Sequence, residues 1–156
     1  MDPTTAMYVS QAIHGIAYGM ILFLIASGLN IIFGMMGILN LAHASFFMLS
    51  GYFCFQVLKI TGNFWAALLL APIFTAFFGI LVERVFLRRV HAFGHLGELI
   101  LTLGIAQVIL AFVKIFWGTE SLPVKVPPIL MGMVSAGGLE YPIYRLFVIG
   151  LSLELV

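Results

Sequence analysis

Asn40 and His43 stand three residues apart beside Gly34 and Gly37, in the stretch Gly-Met-Met-Gly-Ile-Leu-Asn-Leu-Ala-His. Both are polar side chains in an otherwise apolar neighbourhood. Such groups must find a hydrogen-bond partner or a water-filled path. On a helix, residues three apart share a face. Two readings stand side by side: a hydrogen-bonded turn or cap, and a lining for a solute path. His14, Asn30, Gln56, Thr75, Thr102 and Gln107 are also polar within apolar runs. For any single Thr or Gln among these, an interhelical hydrogen bond is the simpler expectation.

Other chemistry is sparse. His91 and His95 have the i, i+4 spacing of two helical zinc ligands, but Gly94 lies between them and no Cys or Asp is near. A solvated loop is the better reading, and no metal site is expected. No P-loop, H-E-x-x-H or G-x-S-x-G pattern occurs. Cys54 is single and lies among apolar residues, which suits a small buried hydrophobe. No catalytic residue and no cofactor is expected, and buried carboxylates are not foreseen.

The elements that must carry these residues are set by composition. Of 156 residues, 63% are hydrophobic and 8% charged, against about 25% charged in soluble domains. No Asp, Glu, Lys or Arg occurs between Asp2 and Lys59, from Ile60 to Val82, or from Leu99 to Val113. A crossing of the hydrocarbon core needs roughly 20 mostly apolar residues. A chain of this size has too much surface to hide such runs from water. The expected fold class is therefore an all-α integral membrane protein, a multi-span transmembrane helix bundle. A net charge of +1 with no basic patch gives no sign of nucleic-acid binding.

Spans are expected over 12–33, 46–58, 64–82 and 99–117, with a fifth from 143–156. The first lacks the basic n-region of a cleaved signal and reads as a retained span. Gly34 to Ser45 should interrupt the helices, as a tight turn or a re-entrant break. Gly62-Asn63 is a turn signal, and Pro72 should kink its span. Glu83 to Glu98 reads as a polar loop with Glu83, Arg84, Arg88 and Arg89. Its arginines favour the cytoplasmic side, which puts the N-terminus outside, and Glu83 and Arg84 are candidate partners for each other or for a neighbouring subunit. Lys114 and Trp117 suit a membrane interface. Gly118 to Pro142, which contains Pro123, Pro127, Pro128, Gly132, Gly137 and Gly138, reads as a long exterior loop. The last 14 residues span roughly 21 Å as helix, short of the ~30 Å core, so the bundle is expected to be incomplete at its C-terminus.

Gly28-Leu-Asn-Ile-Ile-Phe-Gly34-Met-Met-Gly37-Ile-Leu-Asn40-Leu-Ala42-His43 closely resembles a signature of permeases from ABC importers for branched-chain amino acids, with their N-x-A-H-G motif. Gly15-Ile-Ala-Tyr18-Gly19 is similar to the family's first span, and Ser50-Gly51-Tyr52 resembles its G-A-Y. Glu83-Arg84-Val-Phe-Leu-Arg88-Arg89 resembles its E-R-x-x-x-R-P-L loop, and Leu101-Thr102-Leu-Gly104 its T-x-G span. The resemblance covers nearly the whole chain, from Gly15 to about Phe147, and is carried by these five ordered matches. Two departures are visible: Ala44 stands in place of the usual Gly, and Arg89-Val90 in place of Pro-Leu.

The resemblance implies that residues 1–156 form the N-terminal part of one permease transmembrane domain, roughly half of a full member. The loop that docks on the ATPase lies in the other half. It further implies a multi-pass protein of the bacterial plasma (inner) membrane. Implied partners are a second permease subunit, two ATP-binding subunits and a periplasmic amino-acid-binding protein, with the lipid bilayer as solvent. Gly34, Gly37, Asn40 and His43 are the candidate helix break and translocation path. Urea and short-chain amide importers have permeases similar in the same motifs and remain an alternative. From other classes come a non-transporting scaffold subunit or inactive fragment, a membrane enzyme, and an ion channel. The glycine-marked break argues against the scaffold, the lack of carboxylates within the spans against the enzyme, and the lack of a repeated charge or carbonyl ring against the channel.

Overall fold

The structure, a computed structural model, describes residues 2–120, 122–124, 126–136 and 139–155. Helix α1 covers Pro3–Met36. It passes through Gly34, which the sequence reading had placed in the interruption. A helical glycine costs only about 0.5–1 kcal/mol, and in lipid the helix satisfies its own backbone where an open chain could not. The stop comes at Gly37, whose φ is +67°. Its amide donates to the Phe33 carbonyl at 2.8 Å, a left-handed C-terminal cap.

Helix α2 covers His43–Thr61, longer than the expected 46–58 at both ends. It closes on Gly62, at φ +65°, whose amide donates to the Leu58 carbonyl. The Asn63 side chain then accepts from the Trp65 and Ala66 amides at 3.0 and 3.3 Å. This caps helix α3, Phe64–Val82, and realises the expected Gly62-Asn63 turn. Pro72 sits inside α3 without ending it.

Glu83 to Glu98 is not the loop that its polarity suggested. A π-helical turn (Glu83–Leu87) leads into the short α4 (Arg88–Val90) and a 3₁₀ turn (His91–Phe93). Helix α5, Gly94–Trp117, then begins five residues earlier than expected. Near a membrane the backbone gains by pairing with itself, and polar side chains do not prevent this.

Among the described residues, three helical runs are long and apolar enough to cross a membrane: Met7–Met36, His43–Thr61 and Phe64–Trp117. The last holds 54 residues, about 81 Å if straight, against a core of ~30 Å. It does not run straight. The 3₁₀ turn and Gly94, at φ +78°, separate α3 from α5, each of crossing length by itself.

The chain divides into two compact units, residues 29–124 and residues 1–28 with 125–156. In the first, Leu49, Ile109 and Val113 form one buried cluster, and Ile38, Val82 and Leu87 another. Along α2, Phe46 meets Phe78 of α3 and Leu49 packs with Ile109 and Val113 of α5, while Phe53 meets Phe74 and Trp117. Hence α3 runs antiparallel to α2, and α5 runs parallel to it. The Trp117 indole donates to Gln56 Oε1 at 3.3 Å, which gives the Gln56 amide the interhelical partner it required.

The second unit contains a 3₁₀ turn (Pro128–Leu130), strands β1 (Met133–Ala136) and β2 (Leu139–Pro142), and helix α6 (Ile143–Glu154). The strands are antiparallel, with Met133 opposite Pro142 and Ala136 opposite Leu139. The expected long loop therefore carries a β-hairpin. Its Lys125, Gly137 and Gly138, and the final Val156, lie outside the described residues.

Candidate functional site

Between α1 and α2 lie six non-helical residues, Gly37 to Ala42. Asn40 organises their exit. Its Oδ1 accepts from the Ala42 amide at 3.0 Å, and its carbonyl accepts from the His43 amide at 3.1 Å. This short-range turn competes successfully with helix. Asn40 and His43 consequently do not share one helical face: Asn40 lies in the break, and His43 is the first residue of α2.

The break is held against the α3–α5 connection. Ile38 packs with Val82 and Leu87, and Ala42 is fully buried. The Leu41 amide donates to Thr102 Oγ1 at 3.3 Å, and the buried Thr102 hydroxyl donates to the Leu99 carbonyl at 3.2 Å. The amides of Ile38, Leu39 and Asn40 make no hydrogen bond among the described residues.

Two cavities flank the break. One, of 270 Å³, is lined by Met36, Ile38, Glu83, Leu87, Arg88 and His91. The other, of 260 Å³, is lined by Phe33, Leu39, His95, Glu98 and Leu99. Successive side chains of the break, Ile38 and Leu39, thus enter different cavities.

The arginine-bearing turn pairs differently from the expectation. Glu83 meets Arg88 rather than Arg84, with Arg88 Nε donating to Glu83 Oε1 at 3.1 Å. On a π-helical turn, five residues bring side chains together. Both partners are solvent-accessible, so this pair contributes little stability.

Two groups escaped the sequence reading. The first is Glu98, only 1% exposed, where no buried carboxylate was foreseen. His91 Nδ1 lies 2.6 Å from Glu98 Oε1, and His95 Nδ1 lies 3.4 Å from Oε2. The latter spacing lacks hydrogen-bond geometry, and Oε2 has no hydrogen bond. The histidines read as solvated are therefore both turned to one carboxylate, though their side chains stay largely exposed. The signal was the spacing: His91, His95 and Glu98 recur at four and three residues beside an uncharged run.

The second is Arg145, one charge inside the fifth apolar stretch. Its guanidinium donates to His14 Nδ1, and the Tyr141 hydroxyl lies 3.2 Å from the same nitrogen. Arg145 also lies 5.9 Å from the Tyr144 ring centre, a cation–π distance. A 140 Å³ cavity is lined by Ala17, Tyr18, Ile21, Tyr144, Arg145 and Val148.

The chain matches, over residues 11–153, a family described as the permease component of branched-chain amino acid transport systems. Among curated proteins it is 27% identical over 113 residues to the high-affinity branched-chain amino acid transport permease BraD of Pseudomonas aeruginosa. That alignment covers 67% of this chain and 37% of the relative. It is also 27% identical over 146 residues to the corresponding permease LivH of Salmonella typhimurium, covering 85% of this chain and 46% of the relative. LivH of Salmonella typhi matches to the same extent. The chain spans less than half the length of these relatives. No solved structure matches it. With its crossing-length apolar helices and a match that runs through all of them, this multi-pass helical membrane chain belongs to the family of branched-chain amino acid transport system permease components.

Proposed function

We propose that the chain forms part of the path by which branched-chain amino acids cross the bacterial inner membrane in an ATP-driven importer. The observation that carries this reading is the family match over residues 11–153, on a bundle whose glycine-marked break borders two cavities. The partners would be a second permease subunit, two ATP-binding subunits and a periplasmic amino-acid-binding protein. ATP hydrolysis belongs to those separate subunits, and this chain contributes a route.

The geometry suits that role in two ways. A zwitterion with a branched side chain needs apolar contact at one end and charge-matching groups at the other. Phe33, Leu39 and Leu99 offer the former beside the break, and three unbonded backbone amides offer donors of the kind that broken helices present to solutes. The break is also joined to the arginine-bearing turn through Ile38, Val82 and Leu87. With Arg84, Arg88 and Arg89 facing the cytoplasm as the positive-inside rule directs, a movement passed to that turn from the half that docks on the ATPase would reach the break through this packing. Gly34, Gly37, Asn40 and His43 are then the residues that shape the path, Gly37 and Asn40 by setting the backbone and His43 by opening α2.

The test is uptake of radiolabelled leucine by cells that carry the complete importer with this chain in its permease. ATP-dependent uptake, competed by isoleucine and valine and indifferent to urea, is expected. An assembled complex that moves urea or short amides and leaves leucine outside would overturn the substrate assignment.

A further inference from the structure

Glu98 is the group in this molecule whose placement most needs an explanation. A carboxylate removed from water pays a large desolvation penalty unless it is paired and hydrogen-bonded. Here one oxygen is satisfied, Oε1 by His91 at 2.6 Å, while Oε2 is left without a hydrogen bond. The residue is not sealed in the core. It lines the 260 Å³ cavity, whose other walls are Phe33, Leu39, Leu99 and His95. That volume lies below the roughly 300–1,000 Å³ of pockets for drug-sized ligands, and so suits a smaller solute. Three apolar side chains and His95 thus share the cavity wall with one buried carboxylate, and Leu39, one of the three break residues whose amides are unbonded, lies on it.

We infer that this cavity is an amino-acid subsite in which Glu98 receives the ammonium group of the solute. The inference rests on the proposed transport role and adds to it the residue that reads the charge. An ammonium carries three donors and would supply the missing partner of Oε2, giving the carboxylate a full set of bonds. The aliphatic side chain would lie on Phe33, Leu39 and Leu99. His91 acts as a positioning residue, since it fixes the carboxylate through Oε1 and does not itself line this cavity. The recognition is of the amine, so a solute lacking the carboxylate should still be held, whereas one lacking the amine should not. A divalent cation fits less well: among the described residues no group of three or more His, Cys, Asp or Glu stands ready to hold a metal.

The test uses the purified full-length permease in detergent and three probes: leucine, 3-methylbutylamine and 4-methylpentanoate. Equilibrium binding of the labelled amine should be saturable, and it should be displaced by leucine but not by 4-methylpentanoate. Glu98→Gln keeps the shape and should weaken amine binding about tenfold or more, while elution profile and helix content stay unchanged. Leu39→Trp fills the cavity while leaving the Glu98 carboxylate in the sequence and should abolish binding as well. Failure of the wild-type protein to bind the amine overturns the inference, as does a Glu98→Gln protein that binds it as well as the wild type. Leucine uptake by the complete importer is measured in parallel. If uptake persists unaltered in Glu98→Gln, the subsite falls and the transport reading stands. If no leucine enters through the wild-type importer while the amine still binds through Glu98, the transport reading falls and the amine site remains.

Discussion

At the scale of single residues, two glycines three apart do opposite things. Gly37 needs a left-handed backbone, at φ +67°, and has open space where a Cβ would go. Gly34 is helical and equally uncrowded. Gly37→Ala should therefore destabilise the purified protein by about 1–2 kcal/mol, while Gly34→Ala should stabilise it by about 0.5–1 kcal/mol. Thermal melts of the two variants in detergent check this, and the opposite order would contradict the assigned end of α1. Asn40 is the other organiser. Asn40→Ala removes the acceptor for the Ala42 amide and should cost about 1 kcal/mol, whereas Asn40→Asp keeps an oxygen there and should lose little. In the complete importer, normal leucine uptake by Asn40→Ala and His43→Ala proteins that assemble normally would remove these two side chains from the path. The composition of this site was legible in advance, because an Asn and a His among glycines in an apolar run stand out. Its geometry was not: Asn40 bonds its own backbone two residues on, an outcome that a helical face assumed from spacing cannot anticipate. Glu98 was missed because it is the last charged residue before an uncharged run and was taken with the loop preceding it.

At the scale of elements, the apolar runs placed α2, α3 and α5 within about five residues, whereas α1 starts at Pro3, nine residues before the expected 12, and a further error falls where polarity and helicity part company. Glu83 to Glu98 is polar yet almost wholly helical. Charge marks the stretch as polar without setting its backbone. The hairpin of β1 and β2 had a visible signal, Gly137-Gly138 between two short runs, which is a two-residue hairpin pattern. The expectation of a long exterior loop rests on Pro and Gly content alone and does not use that pattern. Helix association also rests on individual contacts. In lipid there is no hydrophobic force between helices, and hydrogen bonds across them contribute about 0.6 kcal/mol on average. The Trp117–Gln56 bond ties the far ends of α2 and α5. A double-mutant cycle of Trp117→Phe and Gln56→Leu, read as thermal stability in detergent, should give a coupling energy of about 0.6 kcal/mol. Additive losses would mean that the indole contributes by packing on Tyr52 and Phe53 alone.

At the scale of the whole molecule, the chain presents large apolar side chains outward along its helices, Leu22, Leu69, Phe77, Leu103 and Val108 among them. Such surface requires lipid or further protein, and the protein should remain in the membrane fraction and require detergent for extraction. Because α3 opposes α2 and α5, the break at Gly37–Ala42 and the arginine-bearing turn share one end of their unit, and Gly62-Asn63 lies at the other. In a Cys54→Ala background, Arg89→Cys should label only from the cytoplasm and Asn63→Cys only from outside. The reverse pattern would invert the proposed orientation. The measurement that bears most directly on the path itself is alkylation of Leu39→Cys by a water-soluble maleimide in the assembled importer, again with Cys54→Ala. Leu39 lines the cavity beside the break, so the thiol should react, and saturating leucine should slow the reaction. A thiol that stays unreactive, or one whose rate leucine leaves unchanged, would contradict a solute path along Gly37–Ala42.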